Sequence, residues 1–147
     1  MKALVQRVTL AAVRVDGEEI ARIGTGLLIL LGVRAGEKEG AGARLAERCA
    51  GLRIFEDGAG KMNLSVREIG GAALVVPQFT LYADTTRGRR PGFEEAARPE
   101  EAEPIWRRFC ESLESHGVPA SLGRFGASMD VELVNHGPAT FLLESAE

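Results

Sequence analysis

The amino-acid sequence predicts a compact, β-rich α/β fold of the α+β type, an antiparallel or mixed sheet with two main helices, in one domain over residues 1–147. Three observations predict it. Residues 2–33 alternate with period two, which sends successive side chains to opposite faces of a sheet. The apolar spacing then changes to the helical one over 37–52, and again over 99–116. A chain of 147 residues is also near the usual single-domain length, and it buries roughly 70% of the surface its unfolded form exposes.

The elements follow in order. Ala3, Val5 and Arg7 alternate with Leu4, Gln6 and Val8, and Val13 and Val15 lie on one face of the next strand. Asp16-Gly17 is a hairpin signal, followed by a strand over 20–23. After Gly24-Thr25-Gly26, the run LLILLGV (27–33) has no polar face and reads as a central strand buried on both sides. Over 37–52, Ala41, Leu45, Cys49 and Leu52 line one helical face, while Gly40 and Gly42 weaken the first turn. Residues 53–70 read as a short strand, a Gly-containing turn and a polar connection. Residues 73–83 read as strand, with Pro77 demanding an edge, a bulge or a bend because it cannot donate to a ladder. Residues 84–98 hold Asp, Thr, Gly, Pro and four Arg without periodicity, the longest loop-like stretch of the chain. Pro99 opens a second helix to residue 116, with Ala102, Ile105, Phe109 and Leu113 on its apolar face and Gly117 as its stop. Strands resume over 120–125, 129–134 and 140–143, and no internal repeat or linker interrupts them.

Composition narrows the function. A net charge of -3 argues against bulk attraction to nucleic acid or to an anionic membrane, so an RNA partner would have to be met by a local patch. The longest apolar run, 27–33, is too short to cross a bilayer, and MKALVQRV alternates like a strand instead of forming a signal peptide's apolar block. A cytoplasmic location without a membrane partner is expected. Cys49 and Cys110 lie far apart, with no CxxC and no His or Cys at metal-ligand spacing, which predicts two reduced, half-buried thiols, no metal and no cofactor. Gly is in excess at 18 of 147 residues, against roughly 7% in average chains, which implies many tight turns or backbone that something approaches closely.

Side-chain catalysis finds little support. There is no GxSxG elbow, Walker loop, GxGxxG after a strand or HExxH. His116 ends a helix, where a cation suits the dipole, and His136 sits in VNHGPAT, where a turn residue is the simpler reading. Glu94-Glu95 and Glu100-Glu101 are neighbours in sequence and fit a solvated charged face. Two features remain. In PQFTLYADTTRGRRPGF an apolar strand runs into Arg87, Arg89 and Arg90 on a Gly/Pro loop, an arrangement able to bind phosphate, although exposed Arg clusters are common. In NHGPAT, residues 135–140 lie between two strand-like runs and by themselves mark a hairpin turn.

Taken with MKALVQRV, LLILLGV, LRIFEDGAGKMNLSV, GRFGASM and the following FLLES, these segments resemble the D-aminoacyl-tRNA deacylases, also called D-tyrosyl-tRNA deacylases, over essentially the whole chain. Two family motifs carry the resemblance. Ser-Gln-Phe-Thr-Leu is matched by residues 77–81 except at its first position, and Asn-x-Gly-Pro-x-Thr is matched in full by 135–140. Pro77 replaces the family's Ser, removing a backbone donor and a hydroxyl. An animal branch that edits a different mischarged tRNA with relaxed chiral selection also begins this motif with Pro. Gly92 stands where the family more often has Ser, a change expected to loosen the Arg-rich loop.

The resemblance implies a barrel-like β-rich core and a homodimer in which a cis Gly137-Pro138 peptide from one subunit enters the pocket of the other. Only about 5% of X-Pro bonds in folded proteins are cis, so composition would not suggest it. The implied reaction is hydrolysis of the ester at the 3′ aminoacyl end of D-aminoacyl-tRNA. Gly137 and Pro138 would place backbone where an L side chain sits, leaving glycyl-tRNA, including tRNA-Ala mischarged with glycine, open to hydrolysis. The ester is already activated, so the task is to position water and stabilise an oxyanion. Backbone N–H groups around Phe79 and Thr80 would serve, with the RNA 2′-hydroxyl assisting. Thr80 has a positioning role on this reading, because no base is evident near it. Gln78 would order the pocket backbone. Phe125 and Met129 would meet the terminal adenine and Ala102 would form part of the pocket wall, against the alternatives of core strand residues for the first two and an ordinary helix-face residue for the third. Arg87, Arg89 and Arg90 would meet acceptor-stem phosphates. Two competing readings are a noncatalytic nucleic-acid-binding protein on the same fold and an L-permissive tRNA editing esterase.

Overall fold

A computed structural model describes residues 1–38 and 40–146. The opening meander forms, but residues 3–8 and 13–15, expected on successive strands, belong to one continuous strand, because β3 pairs with its first half and β2 with its second: β1 (Lys2–Val15), β2 (Glu18–Ile23) and β3 (Gly26–Gly32), with Asp16 (φ 51°) and Gly17 (φ 78°) making the left-handed turn that joins the first two. Then come α1 (Ala41–Gly51), the small hairpin β4 (Phe55–Glu56) and β5 (Met62–Leu64), β6 (Ala72–Pro77), a 3₁₀ turn (Phe79–Tyr82), α2 (Pro99–Ser115), β7 (Ala120–Leu122) and β8 (Asp130–Glu144).

The main sheet runs β2-β1-β3-β6-β7, and β8 pairs with β1 as well. β3–β6 and β6–β7 are parallel and the other pairs antiparallel, so the sheet is mixed. β2 also touches β6 and β7, which leaves the sheet nearly closed into a barrel.

Two apolar clusters explain the uniform hydrophobicity of β3. Leu27, Ile29 and Leu31 pack with Ala73 and Val75 against α1 and α2, where Leu45, Cys49, Trp106, Phe109 and Leu113 meet them. Leu28 points the other way, into the barrel interior, with Val8, Val13, Leu74 and Val76. A strand covered on both faces cannot alternate.

Four further expectations are corrected. The first helix begins at Ala41, not at 37, because Gly40 adopts φ 83°, and position 39 of the expected span lies outside the described residues. Upstream, the Glu37 carboxylate instead pairs with the Met1 ammonium. The strand expected over 73–83 stops at Pro77, and the chain turns into a 3₁₀ segment over Gly32. A Cβ on Gly32 would lie 3.0 Å from the Gln78 carbonyl oxygen and 3.1 Å from Leu81 Cβ. The strand expected over 120–125 ends at Leu122, and Phe125 and Met129 lie outside any strand. Finally, residues 129–134 and 140–143 are not two strands joined by a reversal. They belong to the single strand β8, antiparallel to β1 from Arg14↔Asp130 to Lys2↔Glu144.

Pro77 accounts for the third correction. Ala73 N–H donates to the Pro119 carbonyl, and Gly123 N–H donates to Val75 (2.9 Å each), so odd-numbered residues of β6 face β7. The next donor in this ladder would be residue 77, and proline has none. β7 therefore ends.

Two outcomes test this core. A Cβ on Gly26 would lie 1.8 Å from the Ala72 carbonyl oxygen, so Gly26→Ala is expected to cost about 3 kcal/mol in denaturant unfolding. Cys49 and Cys110 are fully buried, not half-buried, because both helices turn them into the core cluster, and burial pushes their thiols up to about 12, against roughly 8.5 in an unfolded chain. Both should resist a disulfide reagent at pH 8 until the chain unfolds, and their contribution to stability should fall as pH rises from about 9 toward 12.

Candidate functional site

The site is a cavity of about 550 Å³ between the end of β6 and the start of α2. Its walls are mostly apolar: Leu31, Val33, Val76 and Pro77 from the sheet, Phe93 and Ala97 from the loop before α2, Ala102 and Trp106 from α2, and Phe125 and Met129 from the connection to β8. Ala35 N–H to Glu95 O (2.8 Å) and Ala97 N–H to Val33 O (3.0 Å) hold the loop wall against the end of β3. Phe79 is 56% exposed at the rim and meets Phe93 edge-to-face, with centroids 5.0 Å apart. Phe125 tilts over Trp106 with centroids 6.0 Å apart, and Trp106 Nε1 is buried without a hydrogen-bond partner among the described residues.

Phe79 and Thr80 begin the 3₁₀ turn, where backbone N–H groups lack acceptors within the helix. Neither finds an acceptor elsewhere among the described residues. The result is a pair of free donors on adjacent residues, of which Phe79 lines the cavity. Gln78 fixes this turn: its N–H donates to Leu31 O (2.8 Å), its carbonyl accepts from Leu81 N–H (3.3 Å), and its side-chain amide donates to the Thr80 hydroxyl. No imidazole or carboxylate bonds that hydroxyl among the described residues, so nothing there would activate it as a nucleophile.

Residues 136–139 form the second feature. Val8 faces Asn135 and Gln6 faces Thr140, so β8 extrudes four residues opposite the single residue Arg7. Arg7 is only 5% exposed and has no carboxylate partner among the described residues. Its guanidinium donates to His136 O through Nε (2.8 Å) and to Ile54 O through Nη1 (2.6 Å). A Cβ on Gly137 would lie 2.7 Å from Arg7 Nη2, and Gly137 has φ 139°, so no other residue fits there easily. Asn135 closes the far side: Oδ1 accepts from Ala139 N–H (2.8 Å), and Nδ2 donates to the Thr140 hydroxyl (3.0 Å). The Gly137-Pro138 peptide is cis, and both residues are exposed. Neither lines the cavity of its own chain.

The Arg-rich loop is exposed and self-contained. Asp84 and Gly92 exchange two backbone hydrogen bonds (2.7 and 2.9 Å). Asp84 Oδ1 also accepts from the Thr86 hydroxyl (2.6 Å) and amide (2.9 Å), which hold its carboxyl below the usual range. A Cβ on Gly92 would meet only Asp84 atoms at 4.0 Å, so the space for a larger residue exists. Arg87, Arg89 and Arg90 lie outside the cavity lining.

Gln78, Phe79, Ala102, Phe125 and Met129 therefore gather at one cavity beside Thr80, while Gly137, Pro138 and the three loop arginines stand apart from it. Sequence reasoning missed Arg7, Phe93, Arg98 and Trp106. For Arg7 a signal existed: it falls on the inward face with Ala3 and Val5, where a charge needs buried partners. Among the described residues no group of His, Cys, Asp or Glu is arranged to hold a metal, and no helix is long and apolar enough to cross a membrane.

Comparison with known proteins completes the picture. Residues 4–144 match the family described as D-Tyr-tRNA(Tyr) deacylase. The chain is 56% identical over 145 residues to the D-aminoacyl-tRNA deacylase of Symbiobacterium thermophilum, covering 99% of this chain and 96% of the relative. It is 56% identical over 147 residues to that of Thermomicrobium roseum, covering 100% and 96%. Among solved structures, a c-Myc DNA unwinding element binding protein superposes with TM-score 0.94 at 39% identity over 100% of both chains. A probable eukaryotic D-amino acid tRNA deacylase, at TM-score 0.84, 16% identity and 97% of both chains, shares the fold.

Arg7→Ala should leave the His136 and Ile54 carbonyls without their donor and cost about 3 kcal/mol in denaturant unfolding. A cost below about 0.5 kcal/mol, the level of an ordinary surface change, would refute the clamp.

Proposed function

The chain belongs to the D-aminoacyl-tRNA deacylase family, hydrolases that act on an ester bond, and from that premise we propose that it hydrolyses D-aminoacyl-tRNA to free amino acid and tRNA. One observation carries the reading: the N–H groups of Phe79, which lines an apolar cavity, and of the adjacent Thr80 are unpaired among the described residues. Water adds to the ester carbonyl, the oxyanion is held by these donors, and the C–O bond to the terminal ribose breaks, its oxygen taking a proton. The neighbouring 2′-hydroxyl of the RNA helps to activate the water. Thr80 positions the turn with Gln78 and forms no acyl-enzyme. Phe125 and Met129 receive the terminal adenine, Ala102 forms part of the pocket wall, and Arg87, Arg89 and Arg90 meet acceptor-stem phosphates.

Selection works by exclusion. Gly137 and Pro138 of a second copy enter the cavity and occupy the place of an L side chain, while a D side chain points elsewhere. Their exposure, their absence from their own cavity and the exposed Val134 (52%) and Leu142 (54%) on the same strand support a homodimer. Glycine has no side chain to exclude, so glycyl-tRNA, including mischarged tRNA-Ala, is also a substrate. We place the protein in the cytoplasm as a single domain over 1–147.

A second reading, nucleic-acid binding without hydrolysis, draws on the name of the 39%-identical structural relative. A third, an L-permissive editing esterase, draws on Pro77. Matched D-, L- and glycyl-aminoacyl-tRNAs separate them. Loss of the D- and glycyl-esters with the L-ester spared is expected. Loss of all three would favour the permissive esterase, and binding without ester loss the noncatalytic protein. Thr80→Ala should retain most activity, within about tenfold; complete loss with a trappable acyl-enzyme would overturn the positioning role.

A further inference from the structure

Among the described residues the cavity has one charged residue in its lining, and it is not one of the loop arginines. It is Arg98. This residue precedes α2, and its carbonyl accepts from Glu101 N–H (3.0 Å) and Ala102 N–H (2.8 Å), so its backbone is fixed by the helix start. Its side chain is exposed and makes no hydrogen bond or ion pair among the described residues. Two carboxylates of this region are engaged elsewhere, Asp84 with Thr86 and Glu101 with Gly36 N–H (2.9 Å), and so do not pair with it. A fixed backbone with an unpartnered guanidinium on an apolar wall suits an anion held at a short, defined distance.

On the deacylase reading, the cavity receives the terminal nucleoside of a tRNA, which is neutral at its base and sugar and charged only at its 5′ phosphodiester. We propose that Arg98 binds that phosphodiester and so determines specificity for a nucleotide-linked ester over a nucleoside ester. A guanidinium fork matches two phosphate oxygens in one plane, which a lysine ammonium cannot do. Glu94, Glu95, Glu100 and Glu101 flank Arg98 in sequence and cancel its long-range field. The residue therefore works by contact at the cavity and contributes little to steering. Arg87, Arg89 and Arg90 lie too far along an exposed loop to line the same space, so the two groups read different phosphates.

The inference rests on the deacylase reading, and the test separates the two. Wild type, Arg98→Gln and Arg98→Lys are assayed on a D-aminoacyl-tRNA and on the corresponding D-aminoacyl-adenosine, which lacks the phosphodiester. Arg98→Gln should raise KM for the tRNA ester about tenfold with kcat nearly unchanged, and lower the salt slope of log KM by about one. Hydrolysis of the adenosine ester should not change, and Arg98→Lys should fall between the two for the tRNA ester. Equal effects on both esters, or none on either, would overturn the proposal. Unchanged thermal unfolding of Arg98→Gln confirms that its fold is intact. If wild type hydrolyses neither ester, the deacylase reading itself fails and takes this role of Arg98 with it.

Discussion

A guanidinium buried without a carboxylate is costly unless its donors are used, and the arrangement of this molecule turns on how Arg7 uses them. β1 and β8 pair along almost their entire lengths, and the one wide gap in their ladder lies opposite Arg7. Its guanidinium reaches across that gap to His136 and sideways to Ile54, at the entrance of the β4–β5 hairpin. Each bond from a charged donor to a carbonyl contributes about 1.5–3 kcal/mol, and a carbonyl deprived of it would be stranded near the core. The extruded residues are thus held from inside by Arg7 and from outside by Asn135, and the segment from 136 to 139 behaves as a fixed projection of the sheet and not as a loop.

That rigidity gives the glycine excess a specific meaning. Gly137 is required because any Cβ would strike Arg7, Gly32 because the 3₁₀ turn crosses directly above it, and Gly26 because the Ala72 carbonyl approaches it. All three are places where backbone presses against another group. On the proposed reading the substrate is met in the same manner, by N–H groups at the cavity rim and by backbone atoms of the projection. A site built from main chain needs few ionisable side chains. The absence of a recognisable catalytic constellation in the sequence is then consistent with hydrolysis of an ester that is already activated.

What was legible in the sequence was local. The Asp16-Gly17 turn, the doubly buried run of β3 and the Pro99-to-Gly117 helix each declare themselves through neighbouring residues, by turn chemistry, uniform apolarity or helical period with its start and stop. What was illegible depended on distant partners. The apolar run after Pro77 looks like strand, but Tyr82 is buried by curling over Gly32, a residue 50 positions away in sequence. NHGPAT has the composition of a turn, yet the chain passes straight through because β1 pairs with both of its flanks. The cavity residues were identifiable only through the family motifs. Arg98 was not, since nothing in its neighbourhood distinguishes it from the other exposed arginines.

Pro77 shows how a single departure from a family motif acts through a neighbouring strand. As the residue that should donate next to β7, it ends that pairing, and the chain from Gly123 onward is released from the sheet. The released segment carries Phe125 over Trp106 and brings Gly126, Ala127 and Met129 into the cavity wall. Pro77 itself lines the same cavity, where its ring replaces what would be a hydroxyl with apolar surface. The substitution thus bears directly on the wall proposed to receive the adenine, whereas the elements proposed to exclude L side chains, Gly137 and Pro138, are fixed by Arg7 and Asn135 without any contribution from position 77. A change confined to the first of these two walls alters how the nucleoside is held.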